Sequence, residues 1–251
     1  MAARTAIDGH VHIYPGMNVA VLLDAAANNL SRLAPGADLC LLLTETAQDD
    51  GFGELASGTL RAELWRAEHH ADDDAALSMR APDGRRVTLV AGRQIVTSER
   101  LEVLALATRA RPDDGRPIND VLADLVEAGI PAVLPWGLGK WTGVRRQVLH
   151  RALERWQGTV LLGDNAGRPL GWRRPAIFDR CPVLPGTDPL PLDGREADVG
   201  RYGFVLPGGL SLERPATDLA DRLRALRAQP EIIGQRLRPL RVAADQVALR
   251  R

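Results

Sequence analysis

The chain has 251 residues, which suits one α/β domain or two small ones and allows about 70 to 75% of the unfolded surface to be buried. Lys and Arg together number 32, as do Asp and Glu, so no net field attracts nucleic acid or an anionic membrane. The apolar runs are shorter than a membrane span of about 20 residues, and MAARTAIDGH lacks the apolar core of a signal peptide. We therefore expect a cytoplasmic protein with neither a nucleic-acid nor a membrane partner.

The first part of the chain predicts a βαβ unit followed by hairpins. The segment AIDGHVH is typical of a short buried strand, MNVAVLLDAAANNLSRLA has apolar residues at helical spacing, and ADLCLLLT is typical of a strand covered on both faces. Such a unit implies a parallel strand pair. Residues 62–107 are short apolar runs separated by DDD, PDG and SER, which indicates an antiparallel hairpin insert.

The second part alternates strands with helices. Helical periodicity occurs in INDVLADLVEAG, GVRRQVLHRALERW and PATDLADRLRALRAQ, and strands are predicted at IPAVLPWG, GTVLLGDN and CPVLPGTDP. An Arg-rich C-terminal tail occupies residues 235–251. Because no repeat or linker divides the chain, we expect one domain over residues 1–251, a distorted α/β barrel with fewer units than the usual eight.

His10 and His12 lie one residue apart at the end of the first predicted strand. Residues i and i+2 of a strand share a face, so both imidazoles point the same way at the end where α/β proteins keep their chemistry. A divalent metal is one explanation of this pair. The other is two histidines that hydrogen-bond a ligand or core carboxylates.

Lys140 is the only lysine among the 32 Lys and Arg residues. An ammonium is more compact than a guanidinium, and Lys140 has glycines and two tryptophans nearby in PWGLGKW. This pattern predicts a confined site for an anionic group. The alternative is the chance survival of one lysine.

Further polar residues follow other predicted strands and would share a rim with Lys140. These are Trp136, Asp164, Asn165, Arg168, Arg201 and Tyr202. Basic side chains around such a rim suit a phosphate or a carboxylate. The ordinary alternatives are that Trp136 caps the barrel, Asp164 caps a helix and Arg201 pairs with a neighbouring acid.

The order of these motifs resembles the PHP (polymerase and histidinol phosphatase) family over residues 6 to about 230. IDGHVH resembles the family's opening D-x-H-x-H, in which both histidines bind metal. Five later segments occupy the places of further family motifs: LLLTETAQDDGF, VAGRQIVTSERLEVLALAT, AVLPWG, LLGDN and LPGTDPL. The resemblance implies a distorted seven-stranded (βα) barrel of PHP/TIM-like type around a metal cluster.

Several ligands of that cluster are replaced in this chain. Thr46 and Leu190 stand where the family has histidine, Gln94 stands where it has glutamate, and Pro135 or Trp136 stands in place of another histidine. The resemblance leaves His10, His12, Asp188 and Glu45, the last in place of an aspartate, as metal ligands. These residues can hold at most one divalent ion, zinc or manganese.

The resemblance therefore implies a PHP-like hydrolase, of phosphoesterase type, that acts on a small anionic molecule. Lys140, Asp164 and Arg201 are the expected catalytic residues. The expected ligand-binding residues are Trp136, Asn165, Arg168 and Tyr202. Two alternatives stay open: a metal-free pseudoenzyme or binding protein for an anionic metabolite, and an interaction subunit whose insert or tail docks a protein partner.

Overall fold

Residues 2–250 are described by a computed structural model, and they form twelve strands and six α-helices. The strands are β1 (Arg4–Val11), β2 (Asp38–Leu43), β3 (Arg66–His69), β4 (Ala76–Arg80), β5 (Arg86–Val90), β6 (Gly92–Val96), β7 (Glu102–Leu106), β8 (Ala132–Pro135), β9 (Val160–Asn165), β10 (Val183–Gly186), β11 (Tyr202–Pro207) and β12 (Glu231–Gly234). The helices are α1 (Val19–Leu33), α2 (Gly51–Ser57), α3 (Ile118–Glu127), α4 (Gly143–Arg155), α5 (Pro215–Ala225) and α6 (Pro239–Ala248).

The strands form two mixed sheets. The larger has seven strands in the order β12-β11-β1-β2-β5-β4-β3, and the smaller has five in the order β10-β9-β8-β7-β6. In the first sheet β1, β2 and β5 run parallel, and β11 and β4 are antiparallel to their neighbours. In the second sheet β8, β9 and β10 run parallel, whereas β7 is antiparallel to both β6 and β8.

The expected seven-stranded (βα) barrel with a hairpin insert is wrong, because the described residues form no closed barrel. Closure requires each strand to pair on both sides, and here β12, β3, β10 and β6 are sheet edges. The antiparallel pairing predicted for residues 62–107 is confirmed between β3, β4 and β5 and between β6 and β7, but these hairpins are not set apart from the sheets. Instead β3, β4 and β5 extend the first sheet, and β6 and β7 begin the second.

The two sheets meet beside the carboxyl end of β1. The backbone N–H of Asp188, just after β10, donates a 2.7 Å hydrogen bond to the carbonyl of His10. Gly186 makes this approach possible, since a Cβ at that position would lie 2.4 Å from the backbone nitrogen of His10. Any side chain at Gly186 would therefore push β10 away from β1.

A second junction lies beyond the carboxyl end of β2. The N–H of Gln94 in β6 donates to the carbonyl of Glu45 at 2.8 Å, and the N–H of Glu45 donates to the carbonyl of Gly92 at 3.2 Å. A Cβ on Gly92 would lie 2.4 Å from the carbonyl oxygen of Leu43. Both junctions therefore bring strand ends from the two sheets to the same edge of the molecule.

Helices cover the outer faces of both sheets. On α1 the buried residues Leu22, Leu23, Ala26 and Leu30 recur at helical spacing and join the main core, and Asn18 caps its first turn. This core also includes side chains from the smaller sheet. A second cluster fills the space between the smaller sheet and helices α3 and α4.

The predicted βαβ unit is confirmed, because β1 and β2 pair in parallel with Ala6 opposite Leu39. Four elements were not expected from the sequence, namely α2, β11, β12 and α6. The last of these occupies the segment predicted as an Arg-rich tail. None of the helices in residues 2–250 has the length and apolarity needed to cross a lipid bilayer.

Candidate metal centre and cleft

Three side chains that can bind a metal converge where the two sheets meet. His10 is the next-to-last residue of β1, and His12 directly follows the strand. The register of β1 against β2 shifts between Asp8 and Val11. The Nε2 atoms of the two imidazoles are 3.0 Å apart, and Oδ1 of Asp188 lies 3.5 Å from each of them. The predicted strand geometry thus places both histidines on the side that faces Asp188.

These distances fit a single coordinated ion. With bonds of about 2.0 to 2.1 Å, neighbouring ligands of a tetrahedral zinc ion lie about 3.3 Å apart. The three separations between ligand atoms in the cluster are 3.0, 3.5 and 3.5 Å, which is within about 0.3 Å of that value. His10, His12 and Asp188 therefore form a possible metal-binding triad with one tetrahedral position left over.

Burial keeps both imidazoles neutral. It lowers the pKa of His10 to about 4 and that of His12 to about 3, and repulsion from His10 adds to the shift of His12. Burial also raises the pKa of Asp188, which the positive charge of Lys140 partly opposes. A neutral imidazole is the form that binds metal, so near pH 7 no proton has to leave either histidine.

The carboxylate of Asp188 is held in place from outside the triad. Asn165, at the end of β9, donates from Nδ2 to Oδ2 of Asp188 and to the carbonyl of Trp136, at 2.8 Å in each case. Asp188 has a backbone φ of 51°, in the left-handed region that costs a non-glycine residue conformational energy. The surrounding bonds therefore maintain a strained residue whose other oxygen faces the histidines.

Asp8 lies in β1 two residues before His10, and its side chain is fully buried. Its carboxylate accepts hydrogen bonds from the hydroxyl and N–H of Thr187, from the N–H of Gly200 at 2.8 Å and from the N–H of His10 at 3.3 Å. Burial raises its pKa to about 6, although these donors favour the ionised form. Asp8 thus ties β1 to the segment that carries Asp188.

A short polar chain leads from His10 towards solvent. The side chain of Gln94 lies against His10 and donates from Nε2 to Oε1 of Glu102 at 3.4 Å. Glu102 in turn pairs with the ammonium of Lys140. Glu102 was not identified from the sequence as a site residue. Its position at the start of β7 could have indicated it, because β7 is antiparallel to β8 and therefore begins where β8 ends.

Lys140 and Asp188 line the same cleft, which has a volume of about 270 Å³. Trp136, Asn165 and Glu102 also line it, so two of the residues expected to bind a ligand lie beside Lys140. The C-terminal segment contributes apolar residues to the lining, including Leu237, Val242 and Leu249. The cleft therefore combines one ammonium, several carboxylates and an apolar wall.

Glu45 lies outside the metal-binding triad. Its Oε1 accepts a 2.6 Å hydrogen bond from the N–H of Phe52 in α2, and the guanidinium of Arg111 is 3.6 Å from Oε2. Burial raises the pKa of Glu45 to about 7. In this arrangement the carboxylate of Glu45 accepts a hydrogen bond from a backbone N–H in the first turn of α2.

Three other expected site residues bond to one another below the surface. Arg168 donates to both oxygens of Asp164, at 2.7 and 2.6 Å, and the hydroxyl of Tyr202 donates to Asp164 at 2.8 Å. Arg201 pairs with Asp198 at 2.7 Å, which was one of the alternatives for that residue. None of these four expected residues contributes to the described lining of the cleft.

No family model and no curated protein sequence matches this chain. Among solved structures, PsfC from Pseudomonas syringae PB-5123 is similar over 98% of both chains, with 17% identity and a TM-score of 0.58. PfuEndoQ, a lesion-specific endonuclease from Pyrococcus furiosus, matches 91% of this chain with 11% identity and a TM-score of 0.52. Endonuclease Q in complex with a 27-mer duplex matches 92% with 10% identity and a TM-score of 0.50.

The chain spans 57% and 58% of the two endonuclease Q chains that it matches. At these identities the likeness concerns the fold, and it supports a PHP-like fold.

Substitution of Arg168 tests whether this residue stabilises the fold or binds a ligand. Arg168→Met leaves the buried carboxylate of Asp164 without its ion pair, and we expect the free energy of unfolding to fall by about 3 to 5 kcal/mol. Arg201→Met breaks a pair with greater exposure and should cost less than about 1 kcal/mol. Urea denaturation measures both, and equal losses would contradict the structural role of Arg168.

Proposed function

We propose that the protein is a hydrolase of small anionic substrates that uses one divalent ion, zinc or manganese, held by His10, His12 and Asp188. The observation that supports this proposal best is the convergence of three ligand atoms at separations of 3.0 to 3.5 Å. Two neutral imidazoles and one carboxylate with an open position are the donor set of mononuclear hydrolytic zinc sites. Glu45 has no place in this ligand set because its carboxylate bonds to α2.

A divalent ion in this triad would supply Lewis acidity and lower the pKa of a water molecule. The protein's own residues supply orientation and charge. Asn165 fixes Asp188, and Lys140 offers an ammonium to the anionic group of the substrate in the same cleft. Glu102 holds that ammonium in the cleft, so Glu102 acts as a positioning residue.

The charge of the cleft favours a small substrate over a nucleic acid. Glu102 and Asp188 line it together with Lys140, whereas Asp245 is already paired with Arg195 at 2.6 Å, so two carboxylates lie beside one ammonium. A polyanionic strand would meet repulsion there, whereas one phosphate or carboxylate can bind the single ammonium. We therefore propose a phosphoesterase-type reaction on a small molecule, although a protein of similar fold is an endonuclease.

Metal binding tests this proposal without an activity assay. Chelator-treated protein should bind one equivalent of zinc or manganese in calorimetry, and His12→Ala should weaken binding by about 100-fold or more because an imidazole ligand is lost. His70→Ala is the matched control, since His70 bonds to Ser78 and the Leu212 carbonyl away from the triad. Failure of the wild type to bind either ion would favour the metal-free binding protein.

Substitutions of Lys140 test whether the substrate carries an anionic group. In the metal-loaded enzyme, with p-nitrophenyl phosphate as the probe, Lys140→Ala should reduce kcat/KM by at least about tenfold, because a charge-assisted contact is lost. Lys140→Arg should be nearly as impaired, since a planar guanidinium donates its hydrogen bonds from different positions and in different directions than a compact ammonium.

The side chain of Lys140 is 37% exposed, so both variants should keep the free energy of unfolding within about 1 kcal/mol of the wild type. Full activity of Lys140→Arg would contradict the assigned role.

A further inference from the structure

A second groove, of about 310 Å³, lies next to the metal cleft and shares one wall with it. Trp136 lines both, and none of the three ligands of the triad lines the second groove. Helix α4 and the short helical turn Ala176–Asp179 both contribute residues to the lining of the second groove. The two sites are therefore adjacent but have different chemistry.

One side of the groove is aromatic and held rigidly. Trp136 is buried, and Trp141 is half-buried and packs edge-on against Phe178 with ring centroids 5.6 Å apart. The apolar side chain of Ile177 completes this wall. Since packing fixes the indoles before any ligand arrives, a flat ring can contact them at little conformational cost.

The other side of the groove carries basic side chains. Arg146 and His150 are four residues apart on α4, so they share a face of the helix, and Arg180 lines the groove with them. In residues 2–250, the only hydrogen bond that Arg146 donates is that of its backbone N–H to Thr142, the side chain of His150 has no hydrogen-bond or ion-pair partner, and Arg180 is 3.7 Å from Glu154. The guanidinium of Arg146 is thus free for an anion.

We propose that this groove is a second binding site, for a small planar ring that carries an anionic group, such as an aryl phosphate or an aromatic carboxylate. The ring would pack against Trp136 and Trp141, and the anion would bind Arg146. An inorganic anion would leave the indoles unused, and an uncharged ring would leave the guanidinium unused. The site does not depend on the metal or on the proposed hydrolysis.

Tryptophan fluorescence tests the proposal directly, because two of the five tryptophans line the groove. Phenyl phosphate is titrated into protein kept in excess chelator, with benzoate, inorganic phosphate and phenol as comparison ligands. We expect saturable quenching by phenyl phosphate and benzoate and binding at least tenfold weaker for inorganic phosphate and phenol. Trp141→Phe should remove a large part of the signal.

The variants locate the bound ligand. Arg146→Ala should weaken phenyl phosphate binding by at least tenfold, and because Arg146 is exposed the variant should keep the wild-type circular dichroism spectrum. Arg155→Ala is the matched control, because Arg155 lies at the end of the same helix with its guanidinium over Trp156. His12→Ala should leave the affinity unchanged.

Three results would overturn the proposal. Arg146→Ala could bind phenyl phosphate as tightly as the wild type, or inorganic phosphate could bind as tightly as phenyl phosphate. Binding that requires added metal and disappears in His12→Ala would assign the ligand to the metal cleft instead. This last result would leave the proposed hydrolase intact, so the two proposals fail separately.

Discussion

The carboxylate of Asp8 is the interaction on which the arrangement of the site depends. It accepts hydrogen bonds from Thr187, Gly200 and His10, and so joins β1, an interior strand of one sheet, to the edge of the other. A buried carboxylate without such donors would cost several kcal/mol, which makes this junction specific. The junction brings Asp188 to the histidines although their positions in the sequence are nearly 180 residues apart.

Burial then determines the chemistry of the triad. The same exclusion of water that lowers the pKa values of His10 and His12 removes competing protons and leaves their nitrogen lone pairs available. A carboxylate in such surroundings is costly unless a positive charge lies near it. Lys140 supplies such a charge, and a cation held by the triad would add to it. The strained backbone of Asp188 fits this picture, because strain is retained where surrounding bonds enforce a functional geometry.

Local patterns in the sequence predicted more of the elements than of their assembly. The periodicity of INDVLADLVEAG corresponds to α3, Ile118–Glu127, and the one-residue spacing of the histidines correctly placed them on one face. Barrel closure was wrong because it depends on long-range pairing, such as that of β11 with β1, which alternation of helices and strands does not reveal. Sequence alone also could not show that Arg168 would be neutralised by Asp164 four residues earlier, since partner choice depends on burial.

The central claim is that one divalent ion binds two imidazoles and one carboxylate. X-ray absorption spectroscopy of the zinc-loaded protein tests it most directly, because imidazole rings give a characteristic scattering pattern. We predict nitrogen and oxygen ligands at about 2.0 to 2.1 Å with two imidazoles per zinc, and one imidazole in His12→Ala. A spectrum of hydrated zinc, or one that is identical in wild type and His12→Ala, would contradict the claim.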